Sequence, residues 1–143
     1  MDVKTRLFRA IDANINRCRE GIRTVEDIFR FIYQDDFLRR KLRRIRHQLD
    51  EVGKQNKLKR NLLYARNVNS DRGKKFDMLE MKRKDLTDVI YVNFQRAKEA
   101  SRVMEELFKI IDLDIARISK KIRYDLYRTE KDTFKRWPSL FNT

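Results

Sequence analysis

Asn14, Arg17, Glu20, Arg23 and Glu26 recur at every third residue. The same five types return as Asn93, Arg96, Glu99, Arg102 and Glu105, each 79 residues further on. Phe29 returns as Phe108, while Asp27 becomes Glu106 and Arg30 becomes Lys109. A guanidinium presents a planar fork of donors that suits phosphate, so the repeated arginines are candidates for binding an anion. The competing account is a ladder of ion pairs, because Arg and Glu three apart meet on a helix surface. Such a pair contributes only about 0.2–0.5 kcal/mol, too little to explain why residue identity and not charge alone recurs. Duplication from one ancestor would also retain the identities passively.

A net charge of +14 calls for an anionic partner: nucleic acid, a membrane surface or a multiply phosphorylated ligand. Lysines such as Lys54, Lys57, Lys82 and Lys84 are assigned to a solvated surface. No glycine-rich phosphate loop or dinucleotide fingerprint occurs. One histidine, His47, and one cysteine, Cys18, exclude a zinc site and a nucleophilic triad. His47 is expected to pack and hydrogen-bond. Cys18 is expected to be a small buried hydrophobe, and its having no partner for a disulfide favours a reducing cytoplasm. No signal peptide or membrane-spanning run is present, so no membrane partner is expected.

These side chains must be positioned by helices. Ile11, Ile15, Cys18, Ile22, Val25, Phe29 and Ile32 step by four and three residues, one apolar stripe. Asn14 and Glu26 flank it, and Arg17, Glu20, Arg23 and Asp27 form a charged face opposite. A second echo pairs Arg43–Leu49 (RRIRHQL) with Lys120–Leu126 (KKIRYDL), 77 residues apart, which matches Arg46 to Arg123 and His47 to Tyr124. The spacing predicts a first helix over 2–33 capped by Asp2 or Thr5, and a break at Gln34-Asp35-Asp36. A second helix then runs to Val52 with a stop at Gly53. A short helix is expected within 54–65 and a loop over 66–75. A long helix is expected from a capping box at Asp77 and Glu80 to Ile111. A fourth helix starts at Asp112 or Asp114 and ends near Glu130. Gly21 and its counterpart Ala100 suggest close helix packing. The expected fold is all-α: a duplicated helical hairpin forming a four-helix-bundle-like single domain, 1–143. Its repeats span about 5–53 and 77–130, with a linker over 54–76 and a tail over 131–143 that docks through Trp137 and Phe141.

Ala13–Asp27 (ANINRCREGIRTVED), Leu42–Leu49, Asn93–Glu106 (NFQRAKEASRVMEE) and Ile122–Glu130 (IRYDLYRTE) together resemble a known helical family. It is the hydroxymethylpyrimidine phosphate kinase domain found at the N-terminus of some bacterial thiamine phosphate synthases, in some genomes a separate protein. The resemblance covers most of residues 10–130. It implies a role in thiamine biosynthesis, the ATP-dependent phosphorylation of the pyrimidine monophosphate to the diphosphate. With no synthase domain, the chain is not expected to form thiamine phosphate itself.

The residues suit that chemistry. The second pKa of a phosphate ester is about 6, so the nucleophile is already dianionic at neutral pH and needs no histidine base. The obstacle is charge, which arginines and Mg²⁺ relieve. The resemblance assigns phosphate binding during transfer to Arg17, Arg23, Arg96 and Arg102. It assigns substrate contacts to Asn14, Asn93, Arg46, Arg66 and Arg123, the amides reading the ring nitrogen and amino group. Glu20 or Glu99 would hold Mg²⁺ directly or through water. Two rival readings stand beside this one. One is a non-catalytic partner of a separate thiamine phosphate synthase. The other is a basic helical module for nucleic acid, disfavoured because Glu20, Glu26, Glu99 and Glu105 would repel phosphates. Association into a homo-oligomer stays open.

Overall fold

The computed structural model describes residues 2–54, 56–74 and 82–141. Its helices are α1 (Val3–Asp27), α2 (Asp36–Val52), α3 (Asn56–Ala65), α4 (Leu86–Ile111) and α5 (Leu113–Arg136), and no strand occurs among the described residues. The all-α expectation holds. No helix among the described residues is long and apolar enough to cross a membrane.

Asp2 starts α1 by accepting the Thr5 N–H at 2.8 Å. The helix passes into a π-turn over Ile28–Ile32, closed by the Tyr33 N–H on the Ile28 carbonyl at 3.1 Å. This wider turn shifts the helical register. Ile32, the last residue of the expected stripe, therefore lies exposed, while Ile11, Ile15, Cys18, Ile22, Val25 and Phe29 are buried. Gln34 then adopts a left-handed φ of 53°, which costs a non-glycine residue about 1–2 kcal/mol and ends the helix. Asp35 caps α2 by accepting the Leu38 N–H at 3.1 Å.

The second hairpin repeats the first. Ile90, Phe94, Ala97, Ala100, Met104 and Phe108 are buried in α4 at the counterparts of Ile11, Ile15, Cys18, Gly21, Val25 and Phe29. Leu38, Leu42, Ile45 and Leu49 of α2 answer to Ile115, Ser119, Ile122 and Leu126 of α5. Each large apolar side chain buried in this way contributes about 1.5–3 kcal/mol.

Two contacts locate the symmetry. The Cys18 thiol donates to the Ala97 carbonyl at 3.5 Å, and the Gln48 amide donates to the Asp125 carboxylate at 3.0 Å. In each case a residue touches its own repeat-mate, which happens only on the axis relating the repeats. A pseudo-two-fold therefore passes between α1 and α4 and between α2 and α5. Helices α1 and α4 run antiparallel, with Cys18 against Ala97 and Gly21 against Asn93. A Cβ at Gly21 would stand 3.0 Å from the Asn93 carbonyl oxygen, so a side chain here would press the α4 backbone a few tenths of an ångström away. Burial pushes the Cys18 thiol up to about 12, which keeps it neutral.

Two boundaries and the placement of His47 differ from expectation. Residues 82–84 are not helical, and Asp85 caps α4 by accepting the Asp88 N–H at 2.9 Å while Asp88 accepts the Lys84 N–H at 3.2 Å. Asp77 and Glu80, the expected cap, lie outside the described residues. Helix α5 continues past Glu130 to Arg136 because Thr129 and Thr133 bury their faces and bond back to the carbonyls one turn earlier. His47, expected to pack, is exposed on α2.

The tail docks as expected. The Trp137 ring meets Tyr33 edge-on at 5.0 Å between centroids, and Leu140 is buried. The Trp137 indole N–H and Arg136 Nε both donate to Asp35 Oδ2 at 2.8 Å. Burial alone would raise the Asp35 carboxyl, but these donors and the Leu38 N–H hold it below the usual carboxylate range. A carboxyl depressed in the folded state stabilises above its unfolded value, about 3.9, and loses that contribution as pH falls through the folded value. The expected result is that Asp35→Asn flattens the acid limb of stability between about pH 4 and the folded value of Asp35. Urea titrations at several pH values check this.

Candidate functional site

A cleft of about 540 Å³ opens where α1 and α4 cross the axis. Helix α1 contributes Asn14, Arg17, Glu20 and Gly21; α4 contributes Asn93, Arg96, Glu99, Ala100 and Val103; Gly73 of the 3-10 turn Arg72–Lys74 closes one side. The face opposite each apolar stripe is solvent-exposed at Arg17, Glu20, Arg96 and Glu99, yet these four side chains line one cleft. Contact at Gly21 brings the two helices close enough for their polar flanks to meet. The antiparallel register sets Arg17 across from Arg96, Glu20 across from Asn93, and Asn14 across from Glu99.

Among the described residues, Arg17, Glu20, Arg96 and Glu99 have no ion-pair or hydrogen-bond partner for their side chains. Two guanidiniums and two carboxylates therefore line one gap without pairing to one another, which leaves each guanidinium's fork of donors open to an anion and each carboxylate open to a cation. Asn14 donates its amide to the Ala10 carbonyl at 2.8 Å, and Asn93 donates to the Val89 carbonyl at 2.8 Å. Each amide keeps its oxygen and a second N–H for a ligand.

The expected ladder exists only further along the helices. Arg23 pairs with Glu26 at 3.6 Å and Asp27 at 3.4 Å; Arg102 pairs with Glu105 at 2.9 Å and Glu106 at 3.4 Å. Neither arginine lines the cleft, and their side chains are 47% and 53% exposed. Arg23→Ala and Arg102→Ala are expected to change stability by no more than about 1 kcal/mol, as exposed pairs do. Thermal melts of both variants measure this.

Arg46 and Arg123, expected at substrate, do not line the cleft, and each is bonded to a buried carboxylate. Arg46 grips Glu26 through Nε at 2.8 Å and Nη2 at 3.1 Å. That bond raises the guanidinium above its ordinary value. Arg123 reaches Glu105 at 3.1 Å and donates to the Tyr127 hydroxyl at 3.2 Å, under the rings of Tyr124 and Tyr127. Glu26 and Glu105 are buried, and a buried carboxylate requires a cation. This need accounts for Glu26–Arg46 recurring as Glu105–Arg123. Arg66, also expected at substrate, holds the buried Asp12 with two bonds of 2.7 Å and lines a separate hollow beside Arg9 and Asp71.

Among the described residues, no group of three or more His, Cys, Asp or Glu gathers as a metal cage. Glu20 and Glu99 offer two free carboxylates. That donor set fits Mg²⁺, which keeps several waters and takes its remaining ligands from phosphate oxygens. A second hollow of about 600 Å³, between Leu7, Leu58 and Ile111, is mostly apolar and offers little to phosphate chemistry. Sequence reasoning did not find Gly73 or Val103, which reach the cleft only through the fold.

The ThiD2 family model matches residues 9–132. The chain is 34% identical over 127 residues to the thiamine-phosphate synthase of Thermosynechococcus vestitus, covering 88% of this chain and 35% of that protein. It is 35% identical over 127 residues to that of Rhodopirellula baltica, covering 88% and 34%. It is 34% identical over 125 residues to that of Gloeobacter violaceus, covering 87% and 35%. The chain thus spans about a third of the length of these relatives. No solved structure matches it.

Proposed function

The chain belongs to the ThiD2 family, and from that membership we propose that it works in thiamine biosynthesis as a kinase for hydroxymethylpyrimidine monophosphate. An oxygen of the substrate's phosphate attacks the γ-phosphorus of ATP, the bond from that phosphorus to the β-phosphate oxygen breaks, and ADP leaves. The pyrimidine diphosphate remains. The observation that carries this reading is the pair of unpartnered arginines, Arg17 and Arg96, facing one cleft beside two free carboxylates.

Arg17 and Arg96 hold the two anionic groups in reach of each other and offset their repulsion. Asn14 and Asn93 orient the pyrimidine through its ring nitrogen and amino group. Glu20 or Glu99 would hold Mg²⁺, directly or through water, and the ion when bound neutralises charge on the transferring phosphoryl group. Arg23 and Arg102 stay outside this assignment because their partners are carboxylates of their own helices.

A second reading has one observation in its favour. The named relatives carry this region within a longer thiamine-phosphate synthase chain, which suits a non-catalytic partner of a separate synthase. The test is purified protein with Mg-ATP and either the pyrimidine monophosphate or the free alcohol. The kinase reading expects ADP to form with the monophosphate and far less with the alcohol. Equal turnover of the alcohol contradicts the stated specificity, and no turnover of either favours the partner reading.

A further inference from the structure

The pseudo-two-fold axis passes through the cleft, because Cys18 touches Ala97 on it and the cleft's α1 residues are matched by their repeat-mates on α4. The two ends of the cleft are therefore chemically alike. One end sets Asn14 beside Glu99, the other sets Asn93 beside Glu20, and Arg17 and Arg96 share the middle. Three residues of helix separate each asparagine from the arginine of its own helix, a rise of roughly 5 Å. Each half thus suits a one-ring phosphate monoester, its ring at the Asn–Glu end and its phosphate at the arginines. At each end the amide N–H meets a ring nitrogen and the amide oxygen accepts from the neighbouring amino group, which leaves the carboxylates for Mg²⁺.

Resting on the functional reading above, we propose that the cleft binds two molecules of the pyrimidine monophosphate. One sits at the productive end, and the second occupies the half that the phosphate donor must enter. The second molecule is then a competitive inhibitor against ATP, so the protein limits its own rate when its substrate accumulates. The halves are not identical, since Gly21 faces one and Ala100 the other, and Gly73 closes only one side. Two bound dianions also repel each other. The second molecule accordingly binds more weakly than the first.

Two measurements on the full chain test this. Calorimetric titration with the pyrimidine monophosphate, without nucleotide, should saturate at two per chain. Asn14→Ala and Asn93→Ala should each reduce this to one. Initial rates at fixed low Mg-ATP should rise and then fall with pyrimidine monophosphate, and excess Mg-ATP should relieve the fall. Saturation at one per chain together with a hyperbolic rate curve overturns the second site and leaves the kinase reading standing. No binding of the pyrimidine monophosphate at all overturns both.

Discussion

Arg17→Ala and Arg96→Ala are each expected to lower kcat by about 10²–10³-fold while the protein stays folded. Neither guanidinium has a partner within the described chain, so its removal strands no carboxylate and opens no core. On the proposed function it removes a preorganised donor aimed at charge that must be brought together, and the loss of one such donor costs about 2.7–4 kcal/mol in the transition state. The two defects should be of similar size, because the residues face each other across the pseudo-two-fold. Arg→Lys at either position should recover only part of the rate, since an ammonium lacks the planar fork. Steady-state rates with melting temperatures on the same preparations decide the matter. Near-wild-type rates in both variants would return this face to plain helix surface.

Glu26→Ala is expected to destabilise the fold by about 3–5 kcal/mol, and Glu105→Ala comparably. Glu26 is 2% exposed and Arg46 18%, so removing the carboxylate leaves a largely buried guanidinium with nothing to neutralise it. Against a typical total stability of about 5–15 kcal/mol, either loss is severe. Glu26→Leu combined with Arg46→Leu should recover most of it, because replacing a buried ion pair by apolar groups is often neutral. Urea midpoints, with unchanged slopes, measure the effect. A loss below about 1 kcal/mol would place these pairs with the surface ladder.

The same residues show how far the sequence alone could be read. The duplicated hairpin was legible because side-chain identities, and not only apolarity, recur at a fixed offset. The close approach at Gly21 was legible because glycine in mid-helix costs about 1 kcal/mol and needs a reason. The division of the arginines was not legible. Arg17 and Arg23 sit two steps apart in one periodic row, with a glutamate three residues after each. Only the register of α1 on α4 decides which faces the cleft and which meets Glu26. Arg46 and Arg123 were expected at the substrate because nothing in one dimension reveals that Glu26 and Glu105 are buried across the hairpin from them. The start of α4 at Asp85 was not legible because nothing in the sequence marks residues 82–84 as a break. The exposure of Ile32 follows from a π-turn, which carries no sequence signal of its own.

The most direct test of phosphoryl transfer in this cleft is a phosphorus NMR time course of the purified protein with Mg-ATP and hydroxymethylpyrimidine monophosphate. The account predicts that the monophosphate resonance and the ATP γ-resonance fall together. ADP and a new pair of coupled diphosphate resonances should appear in their place, and Arg17→Ala should slow all of these changes alike. An unchanged spectrum from folded protein, or release of inorganic phosphate in place of the diphosphate, would contradict it.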